Sequence, residues 1–346
     1  MVQDKLISKK KPFFEISEQL EAYLKQYRRW IHLSLTYQDL TRFAGSTVIY
    51  DKNQQDSLWI QVYYSEYERV EIENNLKLVY NMLHSDGRKS NHQYFNVDSI
   101  DYCTFGNSHP FRIKIRNTLN DNYTYFYIKQ TDSSRVFGLE FEHMLSPYNL
   151  NYMVNHHMLI EEHIIGIPGD VFIEEYLSLC NESEKAQIAK EYVKFNERCM
   201  IRLLGDMRAY NFVIIPTHDF DHVVHKIRAI DFDQQSYEGK FMVYRPQFFK
   251  ENIQLMDLVR LKLTKDSIFQ YKVEERSIVA RRITSSKVRL NKILDVMKNS
   301  TESTNENVNR LKAEIYSYTN ESSFNECNSM GDVMEATFNY IKANYL

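Results

Sequence analysis

Glycine is scarce in this sequence, with 9 among 346 residues, and proline is scarcer still at 6. A glycine-rich phosphate loop therefore has little material to draw on. The four cysteines (Cys103, Cys180, Cys199 and Cys327) lie far apart and form no C-x-x-C pair. That spacing implies neither a disulfide framework nor a zinc site, and free thiols in a reducing compartment are the simplest account. No run of about 18 apolar residues occurs, so no membrane-crossing helix is expected. The opening residues MVQDKLISKKKPFFEI hold lysines but no apolar stretch of signal-peptide length, and a cytoplasmic location is expected. Net charge is small, -3, and does not advertise a nucleic-acid binder. The basic clusters Lys9-Lys10-Lys11 and Arg281-Arg282 are short enough to read as solvated surface.

What is abundant is apolar and aromatic material. Hydrophobic residues make up 43% and charged residues 26%, with 25 Tyr and 20 Phe. That is enough for a sizeable core, and the length suggests two or three packed units. Leu20, Tyr23, Leu24, Tyr27 and Ile31, at helical spacing, predict a helix over 13–45. Ile72, Leu76, Val79, Tyr80 and Leu83 predict another, ended by Ser85-Asp86-Gly87. Between them, 58–64 reads as a strand. Residues 1–95 thus form an α+β segment with no chemical motif. From 96 onward three β-rich runs, Asp101 to Phe105, Phe111 to Arg116 and Tyr123 to Lys129, predict an antiparallel meander. Helices are predicted over 133–145 and 149–162. A tight turn at 166–170 then leads to a strand-like Val171-Phe172-Ile173. The clearest amphipathic helix spans 183–204, with Ile188, Tyr192, Phe195, Cys199 and Leu203 on one stripe. Strands follow at 211–215 and 227–230, and the last hundred residues read as mostly helical.

The segment that carries chemistry is Leu204-Gly205-Asp206-Met207-Arg208-Ala209-Tyr210-Asn211-Phe212, followed by Ile230-Asp231-Phe232-Asp233. An Asp and an Asn five residues apart sit in a loop after a long helix. A second strand ends in Asp-Phe-Asp. Phosphoryl transfer needs this kind of set. Dense negative charge on the transferred group calls for Mg²⁺ held by oxygen ligands. One further carboxylate must meet the acceptor hydroxyl. Asp206 suits the second task, and Asn211 and Asp231 suit the first.

These residues resemble the catalytic loop and metal motif of the protein-kinase-like superfamily, whose protein-kinase form is H-R-D-L-x-x-x-N followed by D-F-G. Gly205 stands where Arg precedes the Asp, and Asp233 replaces the Gly of D-F-G. Both departures are closer to the atypical branches: aminoglycoside and choline phosphotransferases, HipA-type bacterial kinases and phosphoinositide kinases.

The resemblance implies an α+β, bilobal, kinase-like fold. Its small β-rich lobe would span 96–177 and its helical lobe 178–346, with 1–95 as an N-terminal α+β module. It implies ATP and Mg²⁺ as cofactors. Lys129, ending the third meander strand, would orient the α and β phosphates, ordered by Glu140 or alternatively Glu142. Gly106 and Ser108, in the first meander turn, would approach a phosphate, although a plain hairpin explains them equally. The connector Val171 to Leu177, with Glu174 and Glu175, would face adenine. Asp233 would be an extra metal ligand, and Arg208 would clamp a γ-phosphate or pair with a carboxylate.

The acceptor is not readable. A protein side chain is the first expectation, then a small metabolite or antibiotic, then a lipid headgroup. An AMP transferase and an ATP-binding pseudokinase scaffold are the other readings. Two histidine groups have side chains that could hold a cation: His156, His157 and His163 beside Glu161 and Glu162, and His218, His222 and His225 with Asp219 and Asp221. The first is read as surface or interface histidines, the second as an exposed loop.

Overall fold

The computed structural model describes residues 11–84, 94–105, 108–219 and 222–346. The fold is a mixed α+β one, and the chain divides into two compact units. The first, here the sheet unit, comprises Glu15–Asp132 and Leu150–His163; the second, the helical unit, comprises Met1–Phe14, Ser133–Asn149 and Ile164–Leu346.

The sheet unit contains α1 (Glu18–Gln26), α2 (Tyr37–Thr41), β1 (Gly45–Tyr50), β2 (Asp56–Tyr63), α3 (Glu66–His84), β3 (Phe95–Cys103), β4 (Phe111–Asn117) and β5 (Tyr123–Gln130). Its last two strands, β6 (Tyr152–Asn155) and β7 (Met158–Glu162), lie beyond an excursion into the helical unit. The seven strands are antiparallel in the order β1-β2-β3-β4-β5-β7-β6. The period-2 pattern of β4 explains why the sheet has a core face. Phe111, Ile113 and Ile115 are buried with Phe126 and Ile128 of β5, in one cluster with Ile72, Leu76 and Val79 of α3. The intervening residues of β4 are cationic and lie opposite tyrosines: Arg112 faces Tyr127, Lys114 faces Tyr125 and Arg116 faces Tyr123. Carboxylates of β3 balance that row, with Arg112 on Asp101 at 2.8 Å and Lys114 on Asp98 at 3.0 Å. Lys129 falls two residues beyond Tyr127 and so on the same face of β5.

The meander of β3, β4 and β5 matches the sequence reading. Three expectations do not. The boundary at residue 95 falls between β2 and β3, which are paired neighbours in one sheet, so 1–95 is not a separate module. The small lobe was expected to span 96–177, but Ser133–Asn149 and the residues from Ile164 belong to the helical unit. Residues 149–162 form the β6–β7 hairpin rather than a helix. Both of its strands are almost wholly buried, so they carry an apolar run without alternation.

The helical unit begins with α4 (Ser133–Leu145), whose bounds coincide with the prediction. A small three-stranded sheet, ordered β10-β9-β8, follows from β8 (Ile167–Pro168), β9 (Phe212–Asp219) and β10 (His222–Ala229). The remaining helices are α5 (Gly169–Val171), α6 (Glu182–Ile201), α7 (Ile253–Lys262), α8 (Lys265–Ser285), α9 (Lys287–Lys298), α10 (Asn305–Thr319) and α11 (Met330–Tyr345). Asn181 and Glu184 close a capping box at the start of α6. The predicted stripe of Ile188, Tyr192, Phe195 and Cys199 is buried. The strand expected at 171–173 is instead helical: α5 runs into a π-helical turn, Phe172–Tyr176, and a 3-10 turn, Leu177–Leu179. Phe172 stacks on Tyr176 at 6.1 Å, a contact between positions i and i+4 that only a helical turn provides.

Among the described residues, no helix is long and apolar enough to cross a membrane.

Candidate active site

The loop after α6 is shaped by its backbone. Leu203 and Asp206 both take left-handed φ, 49° and 56°. Asp tolerates that region, because its short side chain bonds locally. Leu does not do so readily, and full burial holds Leu203 there. The loop lies against the chain that follows Asp233. Gly205 N–H donates to the Gln234 carbonyl at 3.0 Å, and Ser236 N–H donates to the Leu203 carbonyl at 2.9 Å. A Cβ on Gly205 would stand 2.9 Å from Val243 Cγ1 and 3.0 Å from the Gln234 carbonyl oxygen. This close approach requires glycine immediately before the loop aspartate.

Asp206, Arg208 and Asn211 are tied together. The Asn211 amide nitrogen donates to the Asp206 carbonyl at 2.7 Å, which leaves its side-chain oxygen to accept. Asn211 N–H donates to the Arg208 carbonyl at 2.8 Å. Arg208 Nε donates to Asp206 Oδ1 at 2.7 Å, and its Nη1 donates to Glu251 Oε1 at 2.9 Å. Phe249 lies under the guanidinium at 5.1 Å. Of the two readings of Arg208, the structure displays the carboxylate pair.

Burial raises the Asp206 carboxyl from 3.8 to about 6; the charges of Asp231 and Glu251 push the same way and Arg208 opposes them. Asp231 belongs to this neighbourhood by topology as well. Phe212 of β9 pairs with Ala229 of β10, and Ile230 N–H donates to the Asn211 carbonyl at 3.0 Å. The loop amide and the Asp-Phe-Asp motif therefore share one end of the hairpin.

Arg135 of α4 is an unforeseen member of the site. Its side chain is 1% exposed. Its Nη2 donates to Asp231 Oδ1 at 3.0 Å, and its Nε donates to Asp233 Oδ1 at 2.7 Å, with Nη2 also on Asp233. Asp233 N–H in turn donates to Asp231 Oδ1 at 3.0 Å. Asp233, expected as an extra metal ligand, has its carboxylate on a buried guanidinium that Asp231 shares. An arginine in an amphipathic helix ordinarily reads as surface, but every residue of α4 except His143 is buried. Only that density of apolar neighbours in the sequence hinted at it. Glu251 had no sequence signal, since it meets Arg208 from 43 residues away.

Among the described residues, no three His, Cys, Asp or Glu side chains are grouped to hold a metal ion. The expected set was two carboxylates and an amide. Arg135 engages both motif carboxylates, and Asp231, 33% exposed against 16% for Asp233, is the more open of the two and stands with Asn211 as the donor set. That donor set fits Mg²⁺, which is commonly bound through one or two carboxylates with substrate phosphates and water completing the shell.

Lys129 is placed in the sheet unit, where its Nζ contacts Glu161 Oε2 at 2.6 Å, both side chains being buried. Glu161 sits on β7 opposite Tyr127, diagonal to Lys129. Neither expected glutamate orders this lysine. Glu140 is held at both oxygens by Arg289, at 2.9 and 2.6 Å. Glu142 pairs with Arg202. Glu161 was missed because its strand read as a helix. Glu142 and Arg202 are each 3% exposed, so Glu142→Gln, which strands a buried guanidinium, is expected to cost about 3–5 kcal/mol of stability in urea denaturation.

Gly106 lies outside the described residues. Ser108 is buried beside His109, whose carbonyl accepts from the Tyr37 hydroxyl at 2.7 Å. Glu174 and Glu175 sit on the π-helical turn rather than on an extended connector. Glu174 lines an open groove of about 890 Å³ that also takes in Asp170, Leu177, Ala209, Glu251 and Leu258. His156 forms the β6–β7 turn with left-handed φ and meets Trp30 edge-on, and His163 packs on Tyr125 and Tyr127. His225 is buried against Phe172, and Asp221 lies outside the described residues.

Compared with known proteins, the chain matches no family model and no curated sequence.

Proposed function

We propose that this chain is an atypical kinase: an ATP- and Mg²⁺-dependent phosphotransferase with a protein-kinase-like fold, acting in the cytoplasm on a hydroxyl acceptor. One observation carries the reading. A carboxylate lifted to about 6, Asp206, is fixed in a rigid loop beside Asn211 and the charge of Asp231, at one end of a β-hairpin. The order of elements adds support: an antiparallel meander ending in Lys129, a helix, a long helix, the loop and the Asp-Phe-Asp hairpin.

In this reading Asn211 and Asp231 would hold Mg²⁺, which when bound offsets phosphate charge. Asp206 orients the acceptor hydroxyl and takes its proton. The acceptor oxygen bonds to the γ-phosphorus, the bond from that phosphorus to the β,γ-bridging oxygen breaks, and ADP leaves with the electron pair. The groove lined by Ala209 and Glu251, the latter tied through Arg208 to Asp206, is the approach this reading assigns to the acceptor. A protein side chain is the first acceptor to test, ahead of small metabolites and lipid headgroups.

The deciding experiment incubates the full chain with Mg²⁺ and ATP labelled at either the α or the γ phosphorus. Label from the γ position in a product is the expected outcome, lost in Asp206→Asn. Label from the α position replaces phosphotransfer by AMP transfer. Nucleotide binding with neither label makes the chain a binding scaffold.

A further inference from the structure

We propose that Arg135 is a positioning residue that limits the site to one divalent cation by withholding Asp233 from the metal. The inference rests on the phosphotransferase reading and concerns a residue to which that reading gives no part.

The Asp-Phe-Asp motif offers two carboxylates two residues apart, joined by the Asp233 N–H on Asp231 Oδ1. Left alone, such a pair repels itself and attracts cations; two carboxylates and an amide are donors enough to bridge a second ion. Arg135 changes that balance. Its guanidinium is almost fully buried and brings Nε and Nη2 to Asp233 Oδ1 and Nη2 to Asp231 Oδ1, with the Nε bond to Asp233 at 2.7 Å and the bond to Asp231 at 3.0 Å. Side-chain exposure follows the same order, 16% for Asp233 and 33% for Asp231. For Asp233 to turn to a metal, it would have to abandon a charge that has no water to replace it. Asp231 has less to give up.

The arginine is itself fixed. Ser134 Oγ donates to the Gln235 carbonyl at 2.8 Å. Gly138, one turn further along α4, lies so close to this segment that a Cβ would stand 3.1 Å from Phe232 Cβ. Helix α4 therefore grips the motif on both sides of Asp233, and Arg135 has little room to swing aside. The guanidinium acts as a permanent monovalent cation where a second divalent one would sit.

The probe is Mn²⁺, counted by electron paramagnetic resonance of the full chain with and without a non-hydrolysable ATP analogue. One bound ion per wild-type chain is expected. Arg135→Met should admit a second ion or tighten binding by at least about tenfold. Arg135→Lys, which keeps a buried charge, should stay at one. Should Arg135→Met fail to fold, Asp233→Asn decides: Mn²⁺ number and affinity within about twofold of wild type support the proposal. Two ions on the wild-type chain, loss of an ion in Asp233→Asn, or a folded Arg135→Met identical to wild type would overturn it. Wild-type chain that binds no Mn²⁺ under either condition removes the metal from the phosphotransferase reading itself, a different failure from the others.

Discussion

Asp206→Asn is expected to yield a protein that is more stable than the wild type and nearly inert. The two effects have one origin. Asp206 is lifted from 3.8 to about 6, chiefly by burial, so the fold prefers its protonated form. Stability from this group is complete below about 3.8 and is lost as pH rises through about 6. At pH 7 and above the ionised carboxylate therefore opposes folding by about 2–3 kcal/mol. Asparagine keeps the shape, tolerates the left-handed backbone at φ 56° and carries no charge. The gain is offset in part by leaving Arg208 with Glu251 alone. Urea denaturation should give equal stabilities for variant and wild type near pH 4 and a gap of about 1–3 kcal/mol by pH 7–8. In the labelling assay the same variant should lose about 10²–10⁴-fold in kcat. Wild-type kcat/KM should fall as pH drops through about 6, where the base becomes protonated. A variant with wild-type turnover would remove Asp206 from the chemistry, and a gap independent of pH would remove burial as the cause of its shift.

Asp231→Ala is expected to abolish Mg²⁺-dependent transfer, by about 10²–10³-fold or more, with loss of Mn²⁺ binding. The side chain is the accessible carboxylate of the motif and shares a hairpin end with Asn211. Its removal also takes one partner from Arg135, but Asp233 keeps the guanidinium paired, so the fold should survive. That separates this variant from one that fails through unfolding. Thermal unfolding within a few degrees of wild type, together with lost metal binding, is the expected pair of results. Full residual activity with Mg²⁺ would refute the metal assignment.

Much of the fold was legible wherever periodicity and burial agree. Helix α4 shows its extent because Phe137, Leu139, Phe141 and Leu145 sit in a run bounded by turn residues. The meander shows itself because Phe111, Ile113 and Ile115 alternate with three cations. The hairpin at 152–162 did not, for two reasons. Buried strands lack alternation, and the turn is made by His156 rather than by glycine or asparagine. Val171 to Ile173 carries β-favouring residues, and packing of Phe172 on Tyr176 and His225 overrode that preference.

The site divides in the same way. Asp206, Asn211 and Asp231 are brought together because the loop and hairpin are local in sequence. Arg135, Glu251 and Glu161 are partners supplied from distant segments; beyond the apolar neighbours of Arg135, no short-range pattern marks them.

The chain's path through its two units bears on how the protein can be dissected. Each unit is assembled from separated stretches, and Ser133–Asn149 belongs with the residues after Ile164 although a piece of the sheet intervenes. A fragment starting at Ile164 keeps Asp206 and Asp231 but discards α4. It would leave the two motif carboxylates without their guanidinium and uncover the surface that Phe141 shares with Phe338. Truncation is therefore a poor route to an isolated helical unit. Genetic rearrangements that join 149 to 164, looping out the β6–β7 hairpin, would keep the helical unit whole while removing Glu161 from beside Lys129.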